Sequence, residues 1–434
     1  MAEINRAVKG TNDILPDDSY KWQYVESTML NTAALYGYRE IRIPVFEHTE
    51  VFSRGMGDTT DVVQKEMYTF DDKGGRSITL RPEFTAGVVR SCIENGLTNG
   101  ALPLKLCYIG GCYRYEKPQA GRLREFHQFG IECIGSSSPI ADAEAILLAN
   151  DVLTKLGIKD LSLEINSIGC PECRKKYHAA LKEYFKQHTD TLCETCRDRL
   201  ERNPMRILDC KSPICKGVAE NAPVVLDFLC EECSEHFNTL KKHLDTAALK
   251  YTVNPKIVRG LDYYTKTVFE FVSGSIGAQS TVCGGGRYNG LVSQLGGPDV
   301  QAVGFAMGIE RLMLITAAQN TEFPEKATPD IYFATMGEAA ELAATKLSEL
   351  LRQEGFEAVS DICGRGLKAQ MKFADKIGAK FTCVIGDNEL ENGVLKVKNM
   401  ADGNVSEIKL DSFVDEFYNI IDSVALESLT ESIF

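Results

Sequence analysis

The chain has 434 residues, of which 44% are hydrophobic and 25% charged, values that are ordinary for a globular protein. Its length suggests about three domains of ~150 residues each. Its net charge of −13 argues against non-specific binding of polyanions, so any nucleic acid must be bound by local basic patches. No apolar run reaches the ~18 residues of a membrane span, and the N-terminus lacks the apolar core of an export signal. We therefore expect a cytoplasmic protein without membrane contact.

The first predicted elements are a helix, a strand and a hairpin. An apolar residue recurs at every third or fourth position of DSYKWQYVESTMLNTAALYG, which predicts an amphipathic helix ending at Gly37. The segment YREIRIPVFEHTEVF predicts a strand that is interrupted by Pro44. A proline in a strand belongs at a sheet edge or in a bulge. MYTFDD and SITLRPE then flank a tight turn at Gly74 and Gly75.

Glu83 and Thr85 lie where the hairpin ends and a helix beginning TAGVVR follows. Ligand groups cluster at such strand ends, and a buried carboxylate there needs a cation partner. The spacing slightly favours a salt bridge between Glu83 and Arg81; the other interpretation is a substrate ammonium group.

The segment from Cys107 to Gly135 carries the most informative pattern. CYIGGCYRYE and FHQFGIECIG alternate in polarity around the loop KPQAGRL, which predicts two paired, half-buried strands. One face could then present Arg114, Glu116, Arg124, Phe126 and Gln128. Arginine matches phosphate oxygens and phenylalanine offers a stacking surface, so this face suits a planar, phosphate-bearing ligand. An exposed, salt-bridged hairpin is the alternative explanation.

Eight of the fifteen cysteines fall between Cys170 and Cys233, after a predicted helix, PIADAEAILLANDVLTKLG, and strand, LSLEINSIG. Without an export signal, thiols or metal sites are expected rather than disulfides. Two C-x-x-C pairs complete a tetrahedral zinc site, and we predict one structural zinc ion held by Cys170, Cys173, Cys193 and Cys196. Cys210, Cys215, Cys230 and Cys233 could build a second site. Thiols that merely pack a small helical insertion are the alternative.

The next segment returns to strands. NPKIVRGLDYYTKTVFEFV predicts a strand pair with a charged and aromatic cluster at Arg259, Asp262, Tyr263 and Tyr264. QSTVCGGGRYNGL has three glycines that either let the backbone approach a ligand or form a bulge. AVGFAMGIERLMLI predicts a strand leading into a helix with Arg311 in its first turns, a favourable place for an anion.

After the polar linker NTEFPEKATPD, strands and helices alternate to the C-terminus. This pattern predicts a separate α/β domain with a largely parallel sheet. A dimerisation or regulatory domain is one interpretation of it.

Five motifs resemble those of a known family, in its order and over essentially the whole chain. RYEKPQAGRLREFHQFGIE resembles motif 2 of class II aminoacyl-tRNA synthetases, in the version found in histidyl-tRNA synthetases. The first helix and the strand with Pro44 resemble motif 1, and GFAMGIERL resembles motif 3. RGLDYYT and GGGRYNGL resemble the two histidine-specific segments. RPEFT resembles the family's ArgProGluGlyThr, with Phe84 in place of the glycine.

The resemblance implies an α+β fold: an antiparallel class II synthetase-like sheet core with flanking helices, a cysteine-rich helical insertion, and a C-terminal α/β anticodon-binding-like domain. The expected boundaries are 1–169 and 251–322 for the catalytic core, 170–250 for the insertion and 328–434 for the C-terminal domain. It also implies a homodimer through motif 1, with the insertion leaning over the tRNA acceptor arm.

The implied reaction is attack of the histidine carboxylate on the α-phosphate of ATP, followed by transfer of histidine to the 3′ end of its tRNA. The resemblance implies that Arg114 and Arg259 are catalytic beside the α-phosphate. Arg122 and Arg311 are expected to hold the outer phosphates of ATP together with Mg²⁺. Phe126 is expected to stack on adenine, and Glu116 to accept a hydrogen bond from the adenine amino group.

The remaining implied roles concern histidine and tRNA. The ammonium group is expected at Glu83 and Thr85, and further histidine contacts at Gln128, Glu132, Tyr264 and Tyr288. Gln119 and Arg124 are expected to touch the tRNA acceptor end. A non-catalytic paralogue that binds histidine as regulatory subunit of ATP phosphoribosyltransferase is the rival interpretation, although such paralogues typically lack the C-terminal domain and lose catalytic arginines.

Overall fold

The computed structural model describes residues 5–57, 60, 62–208, 210, 212–257, 263–274 and 281–431. The chain divides into two compact units, Met1–Pro324 and Glu325–Phe434. None of the helices in the described ranges combines the length and apolar character that crossing a bilayer would require.

The described part of the first unit contains eleven strands and ten α-helices. In chain order the strands are β1 (Arg39–Glu40), β2 (Phe46–His48), β3 (Thr69–Asp71), β4 (Ser77–Leu80), β5 (Leu104–Tyr113), β6 (Glu125–Ile134), β7 (Leu161–Ser167), β8 (Thr252–Val253), β9 (Thr265–Ser273), β10 (Thr281–Arg287) and β11 (Ala302–Gly308). The helices are α1 (Pro16–Leu35), α2 (Thr49–Met56), α3 (Thr85–Glu94), α4 (Pro139–Lys155), α5 (Pro171–Lys186), α6 (Glu194–Arg202), α7 (Pro213–Ala219), α8 (Glu231–Thr246), α9 (Leu291–Gln294) and α10 (Ile309–Ala318).

The large sheet of this unit, as far as the described ranges go, has eight strands in the order β1-β5-β6-β11-β10-β9-β7-β8. Its six central strands are antiparallel to their neighbours, while β1 and β8 join the edges in parallel. A small sheet, β2-β4-β3, stands apart from it. The α+β expectation is confirmed.

Strand β6 shows how the sequence divides the two faces of the large sheet. Phe129, Ile131 and Cys133 are buried in the cluster that also contains residues of α1 and α4. Because successive side chains of a strand point to opposite faces, the even-numbered residues Gln128 and Glu132 face the other way. They line a cavity, so the alternation in the sequence sets the side on which the site is built.

The insertion between β7 and β8 is helical and is anchored to the sheet core by a buried ionic network. Asp142 of α4 is paired with Arg287 of β10, and both side chains have no exposed surface. The Nε2 atom of His236 on α8 lies 3.4 Å from Asp142 Oδ2. Burial alone would raise the pKa of Asp142, but His236 and Arg287 hold it below its ordinary value. Breaking such a buried pair is costly, so the network fixes α8 against α4.

The second unit has a five-stranded sheet in its described part. Its elements are β12 (Ile331–Thr335), α11 (Glu338–Gln353), β13 (Ala358–Ser360), α12 (Leu367–Lys376), β14 (Phe381–Ile385), α13 (Asp387–Asn392), β15 (Val394–Asn399), β16 (Val405–Lys409) and α14 (Phe413–Glu431). The order is β13-β12-β14-β15-β16, with the first three strands parallel and the last two antiparallel.

Two sequence predictions about the elements are wrong, and a third is only partly covered by the described residues. The sheet of the second unit is only partly parallel, because the short connections before β15 and β16 cannot make the crossover of a dozen residues that parallel strands need. The predicted strand around Pro44 is split between two sheets, since β1 pairs with β5 and β2 with β4, and its end belongs to α2. The predicted strand pair after residue 253 shows a turn at 255–256 and strand β9 in its described part, while residues 258–262 lie outside the described ranges.

Candidate active site

A cavity of about 560 Å³, here called the main cavity, opens on the face of the large sheet that carries Gln128 and Glu132. Most residues predicted to bind ATP or histidine line it: Glu83, Thr85, Arg114, Glu116, Arg122, Phe126, Gln128, Glu132, Tyr264, Tyr288 and Arg311. They come from segments as distant in sequence as residues 83 and 311, which the sheet brings together. Arg259 and Asp262 lie outside the described residues.

Glu83 caps the N-terminus of α3 instead of pairing with Arg81. Its Oε2 accepts a hydrogen bond from the Thr85 amide at 2.7 Å, and its Oε1 accepts one from the Ala86 amide at 2.8 Å. Arg81 donates to the carbonyl oxygens of Gly111 and Ile43 at 2.7 and 2.9 Å. The favoured salt bridge is therefore wrong, because helix amides satisfy the carboxylate. Burial raises the pKa of Glu83, while those amides and Arg114 act in the opposite direction.

Phe84, which stands where the family has glycine, fits without backbone strain. Its φ of −96° is negative, so glycine's access to positive φ is not needed here. The ring stacks on Tyr108 with centroids 4.4 Å apart, and the Arg81 guanidinium lies 4.1 Å from its centroid. Phe84 thereby becomes part of the wall behind the site.

Glu132 is the most deeply buried acid of the main cavity, 1% exposed. The hydroxyl of Tyr108 donates to its Oε1 at 3.0 Å, and the hydroxyl of Tyr288 donates to its Oε2. Gly304 makes room for the carboxyl group, since a Cβ atom there would lie 2.0 Å from Oε2. Burial raises the pKa of Glu132 to about 8, although the hydroxyls of Tyr288 and Thr85 act against it. Such a group can pair with a polar N–H that enters the cavity.

Two aromatic residues of this region were not assigned a role from the sequence. Tyr263 lines the cavity, and its ring lies 4.7 Å from that of Tyr264. Tyr108 faces Gly130 across the β5–β6 pair, and a Cβ at Gly130 would meet its hydroxyl at 2.4 Å. Period-two counting from Arg114 would have placed Tyr108 on the binding face.

The cationic side chains of the cavity are engaged with the protein itself. Arg122 forms an ion pair with Glu116 and lies 3.8 Å from Glu66. Arg311 donates to the carbonyl oxygens of Gly121 at 3.0 Å and Thr281 at 2.6 Å. These contacts hold the guanidinium groups of Arg122 and Arg311 in place around the loop between β5 and β6.

Arg114 and Phe126 lie together at the base of that loop, Arg114 directly after β5 and Phe126 near the start of β6. The Arg114 guanidinium lies 5.2 Å from the ring centroid of Phe126, and its Nε donates to the Pro82 carbonyl at 2.8 Å. Phe126 and Glu132 are six residues apart on β6, which corresponds to ~20 Å at ~3.3 Å per residue. A cation with an aromatic ring and a buried acid therefore mark the two ends of one elongated site.

Gln119 and Arg124, predicted to touch tRNA, do not line the main cavity. Gln119 exchanges two backbone hydrogen bonds with Arg122, at 3.0 and 2.9 Å, and borders a separate cavity of about 700 Å³. The Arg124 guanidinium lies 4.1 Å from the ring centroid of Tyr115, and its Nε donates to the Glu116 carbonyl at 3.3 Å.

The three-glycine run and Arg287 have structural roles. The glycines lie inside β10, with register shifts on both sides that support the bulge interpretation. A Cβ at Gly285 would come within 2.3 Å of the Gly304 carbonyl oxygen. Arg287 belongs to the buried ionic network and does not line the cavity, whereas the adjacent Tyr288 does.

The eight cysteines of the insertion form two groups, and the grouping predicted from the sequence is wrong. The first cluster is Cys170, Cys173, Cys230 and Cys233, and the second cluster is Cys193, Cys196, Cys210 and Cys215. Within each, the sulfur atoms all lie within 4.8 Å of one another. The fold brings α8 back to the start of α5, so the first C-x-x-C pair meets the last one rather than the next one in sequence.

Three comparisons place this arrangement among known proteins. Sequence profiles described as Histidyl-tRNA synthetase and Anticodon binding domain match residues 10–312 and 330–420. The chain is 54% identical to the histidine–tRNA ligase of Clostridium perfringens over 417 residues, covering 96% of this chain and 99% of the relative. It is 54% identical to that of Acetivibrio thermocellus over 411 residues, covering 95% and 99%. The crystal structure of apo S. aureus histidyl-tRNA synthetase matches with a TM-score of 0.81 and 42% identity, covering 96% of this chain and 100% of that chain.

Proposed function

The chain belongs to the histidyl-tRNA synthetase family and is an ATP-dependent histidine–tRNA ligase, and we propose that it activates histidine in the main cavity. In this reaction the histidine carboxylate attacks the α-phosphate of ATP, releases pyrophosphate and forms histidyl-adenylate. The 3′-terminal ribose hydroxyl of the tRNA then attacks the adenylate carbonyl. The first step needs in-line positioning and positive charge where phosphate charge develops, and little acid–base chemistry.

The nucleotide end of the site is assigned to the start of β6. Phe126 offers its ring to adenine, and Glu116 accepts from the adenine amino group. Arg114, beside Phe126, faces the α-phosphate, while Arg122 and Arg311 hold the outer phosphates. Arg259 is assigned to the same step by the family motif alone.

Mg²⁺ fits the same end. This ion is usually held by one or two carboxylates together with substrate phosphates, and Glu270 and Glu310 both line the main cavity. When bound, it would share the negative charge of the phosphates with the arginines.

The amino-acid end is assigned to the buried acid and its neighbours. Glu83 and Thr85 take the ammonium group, with Gln128 beside the substrate. Glu132 and the two tyrosines Tyr264 and Tyr288 receive the imidazole, whose two nitrogens each need a partner. A side chain lacking the second nitrogen would leave a buried group unpaired, which is how a polar pocket rejects it.

One observation supports these assignments most strongly: a single elongated cavity joins a buried acid, held by tyrosine hydroxyls, to a cationic and aromatic end. The distance along β6 suits a ligand made of an amino acid joined to a nucleotide.

Histidine-dependent ATP–pyrophosphate exchange tests the proposal. We expect exchange with histidine alone among the amino acids, and a loss of about 10²–10³ in Arg114→Ala, the scale of removing one electrostatic contact to a transition state. Arg259→Ala should behave in the same way. Arg76→Ala is the matched control, because this arginine is 68% exposed and pairs within its own turn, with Asp72. Full exchange by Arg114→Ala would contradict the assignment.

The same assay separates the enzyme from a regulatory paralogue. Tight histidine binding without exchange would mean that the protein is a histidine-binding regulatory subunit and not an enzyme. The presence of Arg114 and Arg311 in the cavity and of a second unit matched by an anticodon-binding profile favours the enzyme.

The remaining partners are proposed from the family and from the positions of the residues. Gln119 and Arg124, on the loop outside the main cavity, contact the acceptor end of the tRNA for histidine, and the second unit reads its anticodon. The protein acts as a homodimer in the cytoplasm, where its fifteen cysteines stay reduced, and the insertion carries structural zinc.

A further inference from the structure

Six of the eight cysteines of the insertion share one local design. In each of the three C-x-x-C pairs, the first cysteine is the N-cap of a helix and the second is its third residue: Cys170 and Cys173 on α5, Cys193 and Cys196 on α6, and Cys230 and Cys233 on α8. Helix N-terminal amides lower the energy of a negative charge, so this placement favours the thiolate form that binds metals.

The sulfur geometry suits a tetrahedral ion in both clusters. Zn–S bonds of ≈ 2.3 Å place the sulfurs of a tetrahedron about 3.8 Å apart. The Sγ atoms of Cys170 and Cys173 are 3.5 Å apart, and those of Cys193 and Cys210 are 3.9 Å apart. Every cysteine is a free thiol, and all fifteen lie in the described part of the chain.

Backbone donors to sulfur provide an independent sign of charged ligands. The amide of Cys230 donates to Cys173 Sγ at 3.0 Å, and the amide of Cys193 donates to Cys215 Sγ at 3.2 Å. Each bond links the two halves of one cluster. Two sulfurs of each cluster are buried and two are partly exposed, so an ion can enter from solvent.

The first cluster lies beside the histidine end of the main cavity. The Gly169 carbonyl, next to Cys170, accepts from the Lys266 amide at 2.9 Å, and Arg174 donates to the Tyr264 carbonyl at 3.1 Å. From the other half, Glu232 pairs with Lys266 Nζ at 2.6 Å. Lys266 has a φ of +49°, a conformation that the surroundings must enforce in a lysine.

We propose that the two clusters hold one zinc ion each, and that the ion of the first cluster positions Tyr264 by clamping both ends of the insertion against the start of β9. Binding converts four thiols into thiolates and releases their protons to solvent. The first ion joins chain segments 57 residues apart at the root of the insertion, and the second closes a loop inside it. The positioning part of this proposal rests on the proposed function of Tyr264, whereas the metal sites do not.

Metal content of the purified protein tests the sites. We expect two zinc ions per chain by mass spectrometry, and a cobalt-substituted protein with the absorption bands of tetrahedral tetrathiolate sites. Cys363→Ser, at an exposed cysteine of the second unit, should keep both ions. One or no zinc ion in the wild type, or iron in its place, would overturn the proposal.

Two double variants test the grouping. Cys173→Ser/Cys233→Ser removes two ligands of one cluster and should leave one ion. Cys173→Ser/Cys196→Ser removes one ligand from each cluster and should leave none. The grouping predicted from the sequence gives the opposite outcome for both. Should these variants fail to fold, releasing the zinc of the wild type stepwise with a mercurial and identifying by mass spectrometry which four cysteines react together decides the matter, because the two groupings predict different sets of four.

Positioning is tested by comparing the two clusters. Cys233→Ser should raise the KM for histidine by about tenfold or more, the scale on which small displacements act, with the KM for ATP nearly unchanged. Cys215→Ser, which empties the second cluster, should leave both KM values unchanged. Equal effects of the two variants would overturn the positioning role even if both zinc ions are present. Absence of exchange in the wild type, with two zinc ions bound, would instead refute the proposed function.

Discussion

Replacing Glu132 by glutamine should change how the stability of the protein depends on pH. Glutamine keeps the shape of the side chain and, like the protonated carboxyl group, one carbonyl oxygen that accepts and one group that donates to the hydroxyls of Tyr108 and Tyr288, but it cannot ionise. Burial raises the pKa of Glu132 from an ordinary value of 4.5 to about 8. The substitution therefore removes one proton equilibrium from a site whose packing is otherwise preserved.

The sign follows from which state holds the proton. Between pH 4.5 and about 8 the folded wild type keeps the Glu132 proton, whereas the unfolded chain releases it. The unfolded state then binds fewer protons, so the free energy of unfolding falls as pH rises, by at most ~1.4 kcal/mol per pH unit. From pH 5.5 to 7.5 the variant should gain ~2–3 kcal/mol relative to the wild type.

Urea unfolding at several pH values, followed by fluorescence of the single tryptophan, Trp22, measures this difference. Trp22 reports the first unit, where its ring lies 5.2 Å from that of His127. The pKa of His127 is raised, mainly by its hydrogen bond to Glu310, but it contributes equally to both proteins and cancels. Glu50→Gln, at a 75% exposed side chain, is the matched control and should run parallel to the wild type. Parallel profiles for Glu132→Gln would refute the reasoning.

Three further substitutions test the packing around the site. Gly304→Ala should cut exchange activity strongly, because its Cβ would meet the buried carboxyl oxygen of Glu132 at 2.0 Å. Gly217→Ala is the control, since a Cβ there meets nothing within 4 Å among the described residues, and equal activity of the two variants would contradict the close approach. Asp142→Asn should destabilise the first unit by ~3–5 kcal/mol in urea, since it leaves Arg287 buried without its partner; a loss below 1 kcal/mol would mean that the network is not buried in solution. Phe84→Gly should cost ~3–5 kcal/mol of stability with the KM for ATP nearly unchanged, and a changed KM without loss of stability would show that the ring contacts substrate instead.

The binding face of the large sheet was predictable because it depends on local geometry. A strand repeats every two residues whatever surrounds it, so the spacing of Phe126 and Gln128 already placed them on one face, whereas Glu132 was singled out by the resemblance alone. The same rule accounts for Tyr108, which was overlooked only because an aromatic residue in a strand usually belongs to the core. Motifs at distant positions were joined by the resemblance, not by any local pattern.

The errors concern partners that only the tertiary fold supplies. The spacing of a C-x-x-C pair describes one half of a metal site, and the other half depends on where the chain returns. Cys173 contacts Cys230, 57 residues later in the chain. The contact forms because α8 packs against α4, which brings the last helix of the insertion next to the first one. The buried carboxylate of Glu83 likewise needs a partner for its negative charge. The backbone amides at the start of α3 supply it in place of Arg81, because they follow Glu83 directly in the chain.

The main cavity is lined by several carboxylates although the ligand we propose for it, ATP, is a polyanion, and the ways in which these carboxylates are satisfied explain how the two are compatible. Glu83 is neutralised by helix amides, and Glu132 keeps its proton below a pH of about 8. Glu116 forms an ion pair with Arg122, so the charge of this carboxylate is compensated by a cation. We infer that an arriving phosphate takes over Arg122, while Glu116 turns from a cation to the adenine amino group. In this proposal, exchanging one partner for another avoids the cost of leaving either member of a buried ion pair without a partner.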